Sequence, residues 1–223
     1  MKMIQNYLSI ISNTPLFDSV NNSEINDLLD CMNAHIEEYN KGKYIFFAGD
    51  EPSGIGIILQ GNASILKEDI FGNRTIVGKL DSGDIFGEVF ACALVDELPV
   101  SVEADTHIKV LLMDYKKIIT TCSSNCKFHN TLIKNMLKIL AKKNMYLNNK
   151  NDILASKTIR DKLMKFFKTI AKEKNNLSFD IPYDRQELAD FLGINRSAMT
   201  RELIKMKDDE LIDFTKNHFR LID

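Results

Sequence analysis

Hydrophobic and polar positions along this chain fall into three successive textures. Up to about residue 40 the pattern is helical and short. Gln5–Ser12 and Ser23–Met32 read as helices, with Ser23 as the N-cap for Ile25, Leu28 and Leu29. From Lys41 the period drops toward two. The runs Tyr44–Phe47, Ile55–Gln60, Ala63–Lys67, Thr75–Leu80, Val100–Ala104 and Ile108–Asp114 are short and β-rich. Turn clusters separate them: Ala48-Gly49-Asp50, Gly61-Asn62, Phe71-Gly72-Asn73 and Asp81-Ser82-Gly83-Asp84. Many short strands with regular turns predict a closed or sandwiched β unit such as a jelly roll.

From about Cys126 the helical period returns and persists. Phe128, Leu132, Ile133, Met136, Leu137, Ile139, Leu140 and Leu147 recur at steps of three and four, and neither Gly nor Pro interrupts Asn125–Ser156. The apolar stripe is wide, so this long helix must cover the β unit, a second copy of itself, or both. Its length and its place between two domains favour a dimer helix. A second helix is expected over Ser156–Lys174. Leu163, Phe166, Phe167 and Ile170 form its apolar face; Lys162, Lys165, Lys168 and Lys172 form a solvated face that can also attract phosphates. Leu177–Ile181 then alternates like a strand.

Asp184–Met206 is the most informative stretch. Asp184 and Glu187 form a capping pair that opens a helix buried through Leu188, Phe191 and Leu192. Ala189 is small where a second helix must approach, Gly193 permits a sharp turn, and Asn195 can cap that second helix. Within it Met199, Leu203 and Met206 share the inner face. Arg196, Ser197, Thr200 and Arg201 share the outer one, in its first turns. A helix-turn-helix reads bases with those turns in the major groove. The arginine fork matches the O6 and N7 acceptors of guanine, and Ser and Thr can bond bases or phosphates. A helical hairpin that docks protein would expose aromatics or leucines there instead. Leu211–Phe214 and His218–Ile222 are two short alternating strands joined by Thr215-Lys216-Asn217, a hairpin that reads as a wing. Lys216 and His218 at its tip can meet the DNA backbone.

Charge adds little. The net charge is −2, divided as about −3 before Asp152 and about +1 from it onward. The sign suits a DNA-binding C-terminal part. Met1–Ser12 lacks the basic start and small-residue cleavage site of a secretory signal, and no apolar run approaches a membrane span. Four irregularly placed cysteines do not make a disulfide scaffold, so the expected compartment is a reducing cytoplasm. Cys122, Cys126 and His129 stand at i, i+4 and i+7, a spacing that suits a metal or redox role only if all three are helical and a fourth ligand exists. Packing is the plainer reading. His35 and His107 are single histidines of the kind that are usually structural. No Gly-rich phosphate loop, nucleophile elbow or helical histidine pair is present, which argues against an enzyme, and neither catalytic nor metal residues are assigned.

Taken together, these residues resemble the cyclic-AMP receptor / fumarate–nitrate regulator (Crp/Fnr) family of transcription factors. The resemblance rests on the β unit with Gly61, the cassette Gly83-Asp84-Ile85-Phe86-Gly87-Glu88, the long helix, and the segment Arg196 to Arg201. It implies an α+β chain with a β-roll (jelly-roll) sensor domain over 1–124, a dimerisation helix and hinge over 125–154, and a winged helix-turn-helix over 155–223. It also implies a homodimer on a palindromic operator in double-stranded DNA, and RNA polymerase as a partner if the protein activates.

In cyclic-nucleotide-binding members the cassette acid meets the ribose and a later Arg-Ser pair meets the phosphate. Glu88 matches the acid, but Leu98-Pro99 stand where the phosphate pair should be. The expected effector pocket is Phe86, Gly87, Glu88, Val89, Leu98, Pro99, Val100 and Ser101. It has no cation for a phosphate, and burying that charge against Leu and Pro would be costly. The site therefore takes an unidentified, less charged small molecule, not cyclic AMP, or it is a filled core; no cofactor is assigned. An iron–sulfur cluster of the oxygen-sensing type would need more than Cys31 in the N-terminal region. Where members often have Glu after the first recognition arginine, this chain has Ser197, which removes an acid contact to cytosine.

Overall fold

A computed structural model describes residues 2–69, 71–119 and 129–222. The chain forms two compact units, residues 1–141 and 142–223. The boundary falls inside one continuous helix.

Unit 1 opens with helices α1 (Lys2–Gln5) and α2 (Leu8–Ser12), a 3-10 turn at Pro15–Phe17, and α3 (Asn22–Cys31). The cap of α3 is not Ser23 but Asn21. Glu24 folds back onto the Asn21 backbone N–H at 3.0 Å, closing a capping box that starts the helix earlier than the sequence suggested.

The β unit comprises β1 (His35–Tyr39), β2 (Tyr44–Phe46), β3 (Ile55–Gln60), β4 (Ala63–Glu68), β5 (Arg74–Leu80), β6 (Ile85–Phe86), then helix α4 (Glu88–Ala93), then β7 (Ser101–Ala104) and β8 (Ile108–Met113). They make two antiparallel four-stranded sheets, in the orders β1-β8-β3-β6 and β2-β7-β4-β5. Two strands escaped the sequence pattern. In β1 the Glu37-Glu38 pair breaks the alternation, and β6 is only two residues long.

The central strands show why the roll holds. Ile55, Ile57 and Leu59 of β3 face the helices, while Ile58 faces the other sheet; Leu111 and Met113 of β8 do the same opposite Ile108 and Val110. A strand buried on both faces reads as a continuous apolar run, as here.

Helices α5 (Tyr115–Ile119) and α6 (His129–Leu154) come next. The expected start of the long helix near Cys126 lies outside the described residues. Leu132, Met136 and Ile139 of α6 enter the unit 1 core. Between them Asn135 is buried, and its amide donates to the carbonyls of Leu16 at 3.0 Å and Asp18 at 2.7 Å. Elsewhere on α6 Leu137 and Leu147 are exposed.

Unit 2 continues with α7 (Ile159–Lys174), β9 (Ser178–Asp180), α8 (Arg185–Leu192), α9 (Arg196–Asp208), β10 (Ile212–Thr215) and β11 (His218–Leu221). Its sheet has the order β10-β11-β9. Phe167, Leu188, Ala189, Leu192, Met199, Leu203, Met206 and Phe219 form one core. The fold is thus α+β: a β-roll, a long helix and a C-terminal winged helix-turn-helix.

Candidate nucleic-acid interface

Local chemistry fixes both helices of the pair. The Asp184 carboxylate accepts from the backbone N–H groups of Gln186 and Glu187, and Glu187 returns a bond to the Asp184 N–H at 2.8 Å. Gly193 ends α8 in the left-handed region at φ +60°, where a side chain would add strain. The Asn195 side-chain oxygen accepts from the N–H groups of Ser197 and Ala198. Its expected place in the site is therefore first that of a cap, worth about 1 kcal/mol.

The faces of α9 separate cleanly. Met199, Leu203 and Met206 are fully buried, whereas Arg196, Ser197, Thr200 and Arg201 are exposed. Thr200 Oγ1 donates to the Arg196 carbonyl at 2.9 Å, and Arg201 Nε leans on the Ser197 carbonyl at 3.4 Å. Arg160 holds the helix from behind. Its guanidinium reaches Glu202 at 2.6 Å and Asp209 at 2.7 Å, contacts that raise its pKa, Glu202 foremost.

The N-terminal ends of α8 and α9 face the wing turn across an open depression of about 460 Å³, lined by Asp184, Arg185, Gln186, Arg196, Lys216 and Asn217. Lys216 sits at the tip of the wing, exposed, as anticipated. His218 stands beside that tip, exposed, as the first residue of β11. It lies in β11, with Nδ1 2.9 Å from Asp180 and Nε2 2.9 Å from Ser178, so its ring ties the wing to β9.

Arg185 was not singled out from sequence. It donates to the Lys216 carbonyl at 2.7 Å and lies 5.2 Å and 4.9 Å from the ring centres of Phe214 and Phe219. Burial lowers its pKa. Nothing local in the sequence joins position 185 to 214 and 219; only the folded wing does. Lys162 and Lys165 are likewise engaged, donating to the carbonyls of Leu192 and Asp152 at 3.1 Å each.

In unit 1, Glu88 is buried at the start of α4, and Phe86, Leu98 and Ser101 are buried near it in sequence, with Pro99 and Val89 exposed. Phe86 packs edge-on against Phe46 at 5.1 Å, and both belong with Leu98, Ile58 and Val102 to the cluster between the sheets. The Phe86 ring lies so close to Gly56 that a Cβ there would stand 2.2 Å from it. Leu98 is locked by backbone bonds to Gly49 and Asp50, both 2.9 Å, and Ser101 Oγ accepts from the Ala48 N–H. Residues 86–101 contain no lysine or arginine.

Cys122 and Cys126 lie outside the described residues, as does the His129 side chain. His35 and His107 are exposed and pair with Glu37 and Glu38. Among the described residues no group of three or more His, Cys, Asp or Glu could hold a metal ion, and no helix is long and apolar enough to cross a membrane.

Two family models match the chain: the cyclic nucleotide-binding domain over residues 36–125 and the Crp-like helix-turn-helix domain over residues 161–223. The chain belongs to the Crp/Fnr family. It is a Crp-like DNA-binding transcriptional regulator with a sensor domain of the cyclic nucleotide-binding type.

Among its relatives is the cAMP-activated global transcriptional regulator CRP of Salmonella typhimurium, 22% identical over 182 residues, covering 80% of this chain and 85% of that protein. The fold of this Crp/Fnr member is shared with the c-di-GMP-responsive regulator CLP of Xanthomonas campestris (TM-score 0.59, 20% identity, 91% of this chain and 100% of that one). It is shared too with the catabolite activator protein of Thermus thermophilus (TM-score 0.56, 18% identity, 93% of each chain).

Proposed function

We propose that this Crp/Fnr member binds a palindromic operator as a homodimer, through Arg196, Ser197, Thr200 and Arg201 of α9, with Lys216 on the backbone. The carrying observation is the exposure of these four side chains in the first turns of a capped helix whose other face is buried. Asn195 serves by capping α9, and His218 by holding the wing; neither is given a base contact. Ser197 in place of an acid predicts an altered half-site. In this reading residues 1–124 sense, 125–154 dimerise and hinge, and 155–223 bind DNA in the cytoplasm, with RNA polymerase as a partner if the protein activates.

The homodimer reading draws on α6. Ile133, Leu137, Leu140, Asn144, Leu147, Asn151 and Leu154 recur at alternating steps of four and three, the seam of a two-stranded coiled coil. Asn144 and Asn151 fall at the a positions, where asparagine specifies register and a pair of strands. This seam adjoins the face carrying Leu132, Met136 and Ile139 into the unit 1 core, and its Leu140 also packs partly against that core.

The effector is not a charged cyclic nucleotide in this reading. Leu98 and Pro99 supply no cation, and Phe46, Phe86 and Leu98 occupy the space between the sheets. The test is selection of binding sites from random duplexes together with sedimentation of the free protein. Two-fold related half-sites about one helical turn apart and a dimer at micromolar concentration are expected. A monomer, or no enriched sequence, would overturn the reading.

A further inference from the structure

Unit 2 contains a second cavity, of about 210 Å³, remote in sequence from the sensor cassette. It lies between the last turns of α6 and the faces of α7 and α8. Phe166, Tyr183 and Phe191 form its aromatic wall, with Tyr183 stacked on Phe191 at 5.1 Å and Phe166 5.5 Å from Phe191. Tyr146 stands at the rim, 53% exposed. The Lys150 ammonium sits 4.6 Å from the Phe191 ring centre and is in no ion pair among the described residues, while Glu173, Lys174 and Asp180 also line the cavity.

These features combine two recognition elements. Three aromatic side chains lining one cavity favour a flat aromatic group, since edge-on or offset ring contacts add to area burial. An ammonium in no such ion pair beside a low-dielectric wall favours an anion. The volume is below the range of about 300–1,000 Å³ typical of drug-sized ligands, so the occupant is small. We propose that this cavity is a binding site for a small aromatic carboxylate, its ring against Tyr183, Phe191 and Phe166 and its carboxylate on Lys150.

The position gives such a ligand a consequence. Tyr146, Lys150 and Ile153 are at i, i+4 and i+7 of α6, on the side away from Asn144, Leu147 and Asn151. One face of the helix is thus left to a second copy while the other grips the ligand together with α7 and α8. A ligand held there fixes α6 against the helix pair that carries Arg196 and Arg201. Only this coupling rests on the operator-binding reading; the site itself does not.

Binding is therefore measured without DNA, by saturation-transfer NMR and calorimetry on the full chain with benzoate, phenylacetate and indole-3-acetate. Cyclohexanecarboxylate removes the aromaticity and benzyl alcohol removes the charge. At least one aromatic acid should saturate with Kd on the order of 0.1–1 mM, as expected for a ligand of this size. Lys150→Met should weaken it about tenfold or more, while Lys138→Met, in unit 1, should not. Phe191→Leu keeps an apolar wall if Phe191→Ala fails to fold, and it should also weaken binding. No saturation up to about 10 mM, equal binding of the two control compounds, or wild-type affinity in Lys150→Met would overturn the site. Fluorescence anisotropy with a selected duplex then tests the coupling: a shift in DNA affinity on saturation supports it, and unchanged affinity overturns the coupling while leaving the site.

Discussion

The guanidinium of Arg185, the first residue of α8, donates to the backbone carbonyl of Lys216 at the tip of the wing, 2.7 Å away. One side chain thus ties the entrance of the helix-turn-helix to the hairpin beside it. The flanking rings of Phe214 and Phe219 stabilise the cation through their faces. Its Nη1 is buried without a hydrogen-bond partner among the described residues, so the rings supply the compensation.

Arg185→Ala should therefore loosen the wing. A local loss of about 1–3 kcal/mol is expected from the lost charged hydrogen bond and the lost stacking. Faster amide exchange in β10 and β11, weaker DNA affinity and an unchanged base preference are the predicted outcomes. Arg185→Lys should recover only part, because an ammonium is a point charge and cannot present the planar fork.

The sensor interior makes a second prediction. Gly56→Ala places a methyl group against the Phe86 ring, and overpacking of this kind typically costs about 1–3 kcal/mol. The Gly56→Ala, Phe86→Leu pair should lose less than the sum of the two single changes, since the smaller side chain makes room. A double-mutant cycle from denaturant melts measures this; simple additivity would mean that the two residues do not press on one another.

Asn135 supplies a third. Asn135→Ala leaves the carbonyls of Leu16 and Asp18 without their donor, at a cost of about 1–3 kcal/mol for a buried group left unpaired. The thermal midpoint should fall by several degrees, and a surface control such as Lys138→Ala should leave it unchanged.

The wing also predicts a response to acid. Lys207 holds the Asp213 carboxyl below its usual range through a 2.7 Å contact, aided by the Phe214 N–H. A depressed carboxylate contributes stability that is present above its unfolded pKa of about 3.9 and is lost as pH falls through the lower folded value. Asp213→Asn should therefore be less stable than the parent near neutrality, with the gap closing toward pH 3 in melts followed by circular dichroism. A gap that stays constant with pH would show that the pair contributes nothing.

Much of this fold was legible in the sequence because neighbouring residues dictate it. The Asp184–Glu187 capping box, the Gly193 turn and the Asn195 cap each depend on residues within a few positions of one another, and all appear as read. Strands β3 and β8 were legible because their apolar runs are long. The strand β1 was not, since charged Glu37 and Glu38 sit on an edge strand where exposure is allowed. Arg185 and Arg160, and the tie of His218 to β9, were not visible in the sequence for a different reason: their partners lie between 29 and 49 positions away and meet them only after folding. The cavity beside Lys150 has the same origin, assembled from α6, α7 and α8 with no local signature.

The most direct measurement takes the operator selected by the parent protein and compares its affinity for wild type, Arg196→Ala and Arg201→Ala across a salt series. The account predicts that each substitution lowers specific affinity by about 1–3 kcal/mol and relaxes base preference within its own half-site. Affinity and sequence preference unchanged in both variants would contradict it.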